Sequence, residues 1–397
     1  MPQQNDRLNA FLNIQQAPVS NAQSGPLSGL TLAVKDIFDV AGYVTGCGNP
    51  DKVETGQAAP STAPTAQRLL DAGARFVGKT QTDELAFSLM GQNAHYPHPV
   101  NPAAPDRVTG GSSSGSAAAV AGGLADIASG SDTGGSIRAP ASFCGLIGLR
   151  TTHGAIPLQG AMPLAPSFDT FGWFARDIDV YEKVARVLLG ASDRTPPSRA
   201  FRLAALDALL LGEMETHEYR RMVTMIARVL GEPKDAPALS HDLDDLYWCF
   251  RKLQAYEAWN SHGAWISGKD RRLGPGVKER FAFGASIDAA TVEKQTAYRN
   301  TFRTELADRL GNDGILVLPT VPGAGPFAAS SFEETQTYRE RALHLLCLSG
   351  LSGFPQLTLP LGMVDGAPFG ISLLGPAGSD LTLIQVGRRI LETIGKA

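Results

Sequence analysis

Short apolar runs broken by glycine set the first expectation for this chain. Thr31-Leu32-Ala33-Val34 follows Ser28-Gly29 and leads straight into Lys35-Asp36, the pattern of a buried strand that delivers a lysine at its end. From Pro64 to Ala72 the apolar positions Ala66, Leu69 and Leu70 keep helical spacing, Gly73 stops the helix, and Ala74 to Val77 reads as the next strand. Ser116 to Ala121 is a run of small residues suited to a helix packed tightly in the interior, and Leu124 to Ala128 reads as another buried strand. Ile315-Leu316-Val317-Leu318, Gln356 to Leu361 and Phe369 to Leu374 add strands far along the chain. Such alternation predicts an α/β fold with one large sheet assembled from distant segments and covered by helices.

Between Ser198 and Leu310 the texture changes. Tyr298, Phe302, Leu306 and Leu310 recur every fourth residue and give a helix with one apolar stripe, and Met214–Leu230 and Leu246–Trp259 also read as helical. This section is richer in charge and aromatics than the Gly/Ala/Ser-rich first half. It is expected to be a helical section resting on the sheet, either as part of a pocket wall or as ordinary cover.

Composition narrows the function classes. With 397 residues, 43 % hydrophobic and 19 % charged, the chain suits an ordinary globular enzyme with a substantial core. A formal charge of −4 and the lack of a basic cluster speak against nucleic acid as a partner. The four cysteines, Cys47, Cys144, Cys249 and Cys347, are scattered without metal-ligand spacing, so free thiols in a reducing cytosol are expected. Met1 to Ser20 lacks the apolar core of a secretory signal, and no apolar run is long enough for a membrane helix. A cytoplasmic protein without a membrane partner is the expectation.

The chemistry concentrates in two segments. Gly110-Gly111-Ser112-Ser113-Ser114-Gly115-Ser116 is answered by Asp132-Thr133-Gly134-Gly135-Ser136-Ile137-Arg138. By composition the first segment resembles a flexible linker, but apolar sequence flanks it and the second segment repeats its glycine pair. A serine needs a positioned base to attack a carbonyl. None of the seven histidines lies in a triad-like context, His95, His98 and His153 included, and a GxSxG elbow is absent. A lysine base is the better candidate, provided that burial lowers its pKa from about 10.4 towards neutrality. Position alone leaves open whether Lys35 is such a base or a surface lysine paired with Asp36 or Asp39.

The two segments, followed by Pro140 and by Phe143-Cys144-Gly145-Leu146-Ile147-Gly148-Leu149-Arg150, resemble the signature region of the amidase signature family. Ala33-Val34-Lys35-Asp36 resembles that family's lysine motif. The resemblance implies a single amidase domain over residues 1–397, built on one large mixed β-sheet with helices on both faces. It implies Ser136 as acyl-forming nucleophile, Ser112 as bridging serine after a cis Gly111–Ser112 peptide, and Lys35 as general base. The backbone N–H groups of Thr133, Gly134, Gly135 and Ser136 would form the oxyanion hole. Asp132 and Arg138 would pair to hold the loop, with Ser113 and Ser114 in support.

Further stretches, among them Gly91-Gln92-Asn93-Ala94-His95-Tyr96, Ser167 to Asp177 and His262 to Ser267, are similar to the short plant-type amidases that hydrolyse indole-3-acetamide. A small aryl or alkyl primary amide is therefore the implied substrate, cut to acid plus ammonia without metal or cofactor. Met90, Gln92, Phe143 and Trp173 are the pocket candidates, although aromatics in α/β proteins more often fill the core. For assembly the expectation extends to a homodimer. Two other readings stand beside the amidase. One is the ammonia-releasing component of a tRNA-dependent amidotransferase, disfavoured because those chains are generally longer, and the other is a catalytically silent scaffold.

Overall fold

A computed structural model of the chain describes residues 6–15, 17–191 and 197–395. Its first five strands are β1 (Thr31–Lys35), β2 (Arg75–Thr80), β3 (Ile127–Ser131), β4 (Ile147–Arg150) and β5 (Phe171–Ala175). The others are β6 (Arg199–Arg202), β7 (Lys234–Asp235), β8 (Gly314–Pro319), β9 (Gln356–Val364) and β10 (Ala367–Leu374). They form a ten-stranded sheet in the order β2-β1-β3-β5-β4-β9-β10-β8-β6-β7. The sheet is mixed: β2, β1 and β3 run parallel at one end, β8, β6 and β7 at the other, and antiparallel pairs join them. Every residue of β3, β4, β5, β8 and β10 is buried, as a sheet covered on both faces requires.

The apolar runs become strands where expected at β1, β8, β9 and β10. β1 sits between β2 and β3, and its last residue is Lys35, opposite Thr80 of β2. The small-residue run becomes the helix Ser114–Ala121, buried from Ser114 to Val120 because nothing larger than valine holds it off the sheet. Its start places Ser112 and Ser113 over the end of β1.

Two elements differ from expectation. β3 begins at Ile127 rather than Leu124 and ends on Ser129-Gly130-Ser131, where an apolar strand pattern is lost. The reason is chemical: the Ser129 hydroxyl accepts the Lys35 backbone N–H at 3.0 Å, and the Ser131 hydroxyl meets the Lys35 amine. Second, the section from 198 to 310 is not wholly helical, since it supplies β6 and β7 at the sheet's far end. These strands have four and two residues and charged ends, too little for a period-two pattern to register. Its long helices match the expectation, with Phe302, Leu306 and Leu310 buried along Ala289–Leu310 and Phe250, Leu253 and Gln254 buried along Leu243–Ser267. Among the described residues no helix is long and apolar enough to cross a membrane.

Candidate active site

Lys35 leaves the end of β1 fully buried and meets three hydroxyls. Its Nζ lies 2.8 Å from Ser112 Oγ, 3.0 Å from Ser113 Oγ and 2.8 Å from Ser131 Oγ. The alternative of a surface pair with Asp36 or Asp39 is excluded by where those carboxylates go. Asp36 is buried against Lys79 at 2.7 Å, and Asp39 accepts the Thr45 hydroxyl at 2.7 Å. Burial drives the Lys35 pKa down to about 7, with Asp83, Asp132 and Asp169 pulling in the other direction from a distance. A lysine in this setting is neutral in a large fraction of molecules at physiological pH.

The peptide between Gly111 and Ser112 is cis. The Ser112 carbonyl accepts from the Asp83 N–H at 3.1 Å and the Thr82 hydroxyl at 2.9 Å, while the Gly111 N–H donates to Leu89 O at 2.7 Å. Gly111 is required by a close approach: a Cβ there would stand 2.1 Å from Asp83 Oδ2. Asp83 is itself buried, which raises its pKa, against the Gly91 N–H and the Lys35 charge.

The second segment is held by one carboxylate. Asp132 accepts from Arg138 Nε at 2.9 Å and from a second Arg138 nitrogen at 2.9 Å, a bidentate pair, and from Arg150 at 3.1 Å. Burial raises the Asp132 pKa, but Arg138 and Arg150 outweigh it and hold the carboxyl well below the usual range. Asp132 Oδ1 also takes the Gly135 N–H at 2.7 Å. That N–H is therefore turned to the carboxylate, which narrows the expected oxyanion donors to Thr133, Gly134 and Ser136. Thr133 is tied in turn to Asp169, its hydroxyl donating at 2.6 Å, while Asp169 collects the Leu164 and Ala165 N–H groups.

Two cavities meet at this loop. One, of about 210 Å³, is lined by Ile37, Leu158, Met162, Leu164 and Thr133 among others, and is mostly apolar. The other is a narrow cleft where Thr133, Gly134 and Ser136 face Gln254 and Arg339. None of the four pocket candidates lines either of these two cavities. Trp173 is fully buried and stacks on Tyr181 at 4.8 Å, and Phe143 packs edge-on against Tyr338 at 5.9 Å. Met90 is buried in the main core, and Gln92 donates to the Ala328 carbonyl at 3.2 Å. The aromatic pair follows the ordinary fate of large apolar side chains in a sheet core. Asp83, Gln254 and Arg339 were missed in sequence, since each reaches the site from a separate segment, while Ser131 directly precedes the second glycine-serine segment and Asp169 lies in the Ser167 to Asp177 stretch, neither with a role assigned there.

The sequence profile described as Amidase matches residues 8–221, which span all three of Lys35, Ser112 and Ser136. "Amidase 1" of Arabidopsis thaliana is 41 % identical over 414 aligned positions, covering 96 % of this chain and 97 % of that protein. The chain belongs to the amidase family. This amidase also resembles a solved structure described as "Crystal structure of amidase", with a TM-score of 0.82, 30 % identity, and coverage of 93 % of this chain and 85 % of the other. The corresponding component of the glutamyl-tRNA(Gln) amidotransferase of Methanospirillum hungatei is 29 % identical, with 96 % of each chain covered. That relative is less similar to this chain than the plant amidase, and a second one, from Methanosarcina mazei, is covered to 89 % against 96 % of this chain, in keeping with the expected greater length of such components.

Proposed function

We propose that this amidase hydrolyses a small aryl or alkyl primary amide to acid and ammonia through Lys35, Ser112 and Ser136. The observation that carries the reading is the 2.8 Å contact between Lys35 Nζ and Ser112 Oγ in a fully buried setting. A neutral amine has two N–H bonds and one lone pair. Three hydroxyl neighbours match that inventory, with the lone pair accepting from Ser112. Ser136 Oγ attacks the amide carbonyl while its proton passes to Ser112 and the Ser112 proton passes to Lys35. The oxyanion is stabilised by the N–H groups of Thr133, Gly134 and Ser136, an arrangement in which each donor contributes about 2.7–4 kcal/mol. The proton returns through Ser112 to the leaving nitrogen, ammonia departs, and water repeats the relay on the acyl-enzyme. Ser113 orients the lysine, and the Asp132–Arg138 pair keeps the loop in shape.

The substrate class is supported by the apolar cavity beside Thr133, and the reach of Gln254 into the cleft supports the helical section as part of the pocket wall. Under this proposal residues 1–397 act as one domain. The described cysteines are all buried and unpaired, which suits a cytoplasmic location. Ammonia release from a panel of primary amides by the purified chain alone tests the reading. Turnover without any partner supports it, and turnover only of glutamine in the presence of a partner protein contradicts it.

A further inference from the structure

Asp83 is fully buried and packs against the cis Gly111–Ser112 peptide. Its backbone N–H donates to the Ser112 carbonyl at 3.1 Å. Both carboxylate oxygens and the carbon between them lie within 2.6 Å of where a Gly111 Cβ would stand, so only glycine there lets this charge come so close to the bridging serine. Oδ2 accepts the Gly91 N–H at 3.0 Å. Oδ1 is buried and unpaired: the hydroxyls of Ser88 and Ser114 lie near enough to favour the charged form, but neither completes a hydrogen bond to it. A buried carboxylate with one oxygen unmatched is costly, and such a group in a native fold calls for a role.

The other charged groups around the relay are committed. Asp132 faces Arg138 and Arg150, Asp169 takes the Thr133 hydroxyl with the Leu164 and Ala165 N–H groups, and Asp36 is paired with Lys79. Glu84, next to Asp83, takes Asn49, His95 and the Gly274 N–H. Burial pushes the Cys47 thiol up to about 12, so it brings no charge. Arg280, on the helix Val277–Ala285, feels Asp83 from a distance and forms no ion pair with it. Of the groups that draw the Lys35 pKa upwards, Asp83 acts most strongly. Lys35 itself touches the hydroxyls of Ser112, Ser113 and Ser131, which suit a neutral amine. Once the relay delivers a proton, that amine becomes a buried ammonium in need of a counter-charge.

We propose that Asp83 is a positioning residue for the relay, whose buried carboxylate, set against the Gly111–Ser112 peptide, stabilises the ammonium that Lys35 becomes as Ser136 attacks. The Ser136 proton passes to Ser112 and the Ser112 proton to the Lys35 lone pair, while Asp83 stays ionised and takes no proton. The negative charge is in place before the positive one forms, so the step needs no rearrangement around it. The same proximity ties the charge to the bridging serine, because one backbone carries both the Gly111 approach and the Ser112 hydroxyl. This rests on the amidase reading above and adds a residue to its machinery.

The test follows fluorophosphonate labelling of Ser136 from pH 5 to 9 in the full chain, for the wild type, Asp83→Asn and Asp83→Ser, beside ammonia release from a panel of primary amides. Asparagine keeps the shape and an acceptor for the Gly91 N–H but removes the charge. Without the counter-charge the ammonium is less favoured, so the midpoint of the labelling rate is expected to fall by about one pH unit in Asp83→Asn. The weaker base also lowers the rate above the midpoint, by about threefold. A purely structural loss lowers the rate and leaves the midpoint in place. Should Asp83→Asn fail to fold, Asp83→Ser, whose hydroxyl is small enough for the site, is read by the same midpoint. A midpoint that stays or rises overturns the proposal and leaves the amidase reading standing, since the wild type still labels and still releases ammonia. A midpoint that falls while no primary amide is turned over upholds the counter-charge and overturns the amidase reading instead.

Discussion

Lys35 Nζ lies 2.8 Å from Ser112 Oγ, and among the described residues no carboxylate touches the amine. Of the acids that act on it from a distance, Asp83 takes the Gly91 N–H, Asp132 is held by two arginines and Asp169 by Thr133. Hydroxyls solvate a neutral amine well and compensate a buried ammonium poorly. The arrangement explains how a lysine serves as a base near neutral pH, and it makes the state of this proton measurable.

Folding stability should carry the mark of Lys35. Its pKa falls from 10.5 in the unfolded chain to about 7 in the folded one, so the unfolded state binds more protons between those values. The contribution of Lys35 to stability therefore rises with pH across that window, by several kcal/mol at about 1.4 kcal/mol per unit. Urea unfolding of the wild type and of Lys35→Met from pH 6 to 10 checks this. The wild type is expected to gain on the variant as pH rises, whatever the offset between them.

Asp132→Asn should destabilise the fold strongly, by about 3–5 kcal/mol, because it leaves Arg138 and Arg150 as uncompensated buried charges. The depressed pKa of Asp132 adds an acid limb of the usual carboxylate sign. Its stabilisation is complete above the unfolded pKa of about 3.9 and is lost as pH falls towards the folded value. Denaturant midpoints between pH 7 and 3 check both: the wild type loses stability on acidification, and Asp132→Asn loses less because its contribution is already absent.

Gly111→Ala should lower amide turnover by about tenfold or more while costing about 1–3 kcal/mol of stability. The added methyl would stand 2.1 Å from Asp83 Oδ2, and relief of the clash displaces Ser112. Steady-state kinetics beside a denaturation curve separates the two effects. Turnover equal to wild type would show that the Asp83 contact does not set the position of Ser112.

Much of this site was legible in the chain, for reasons tied to particular residues. The run Thr31–Val34 is apolar because β1 is buried, so Lys35 at its end stood out. Ser112 and Ser136 stood out through the glycines around them. Ser131 did not, because the strand that carries it trades apolar residues for hydroxyls facing the lysine. Trp173 and Phe143 read as pocket aromatics, but a sheet this size must fill its core, and both went there. Arg339 and Arg280 were not singled out in the chain, and it is the fold that buries them, on the helices Phe332–Ser352 and Val277–Ala285. The choice among the oxyanion donors needed coordinates as well, since the Gly135 N–H is claimed by a carboxylate three residues earlier.

Covalent labelling with a fluorophosphonate, with the adduct located by peptide mass spectrometry and the rate followed from pH 5 to 9, tests the relay most directly. The adduct is expected on Ser136, with a rate that climbs through a midpoint near 7 as Lys35 loses its proton. Ser112→Ala and Lys35→Ala should each slow labelling by about a hundredfold or more, and Lys35→Ala should remove the pH dependence. An adduct on another residue, or a wild-type rate indifferent to pH across this range, would contradict the relay from Ser136 through Ser112 to Lys35.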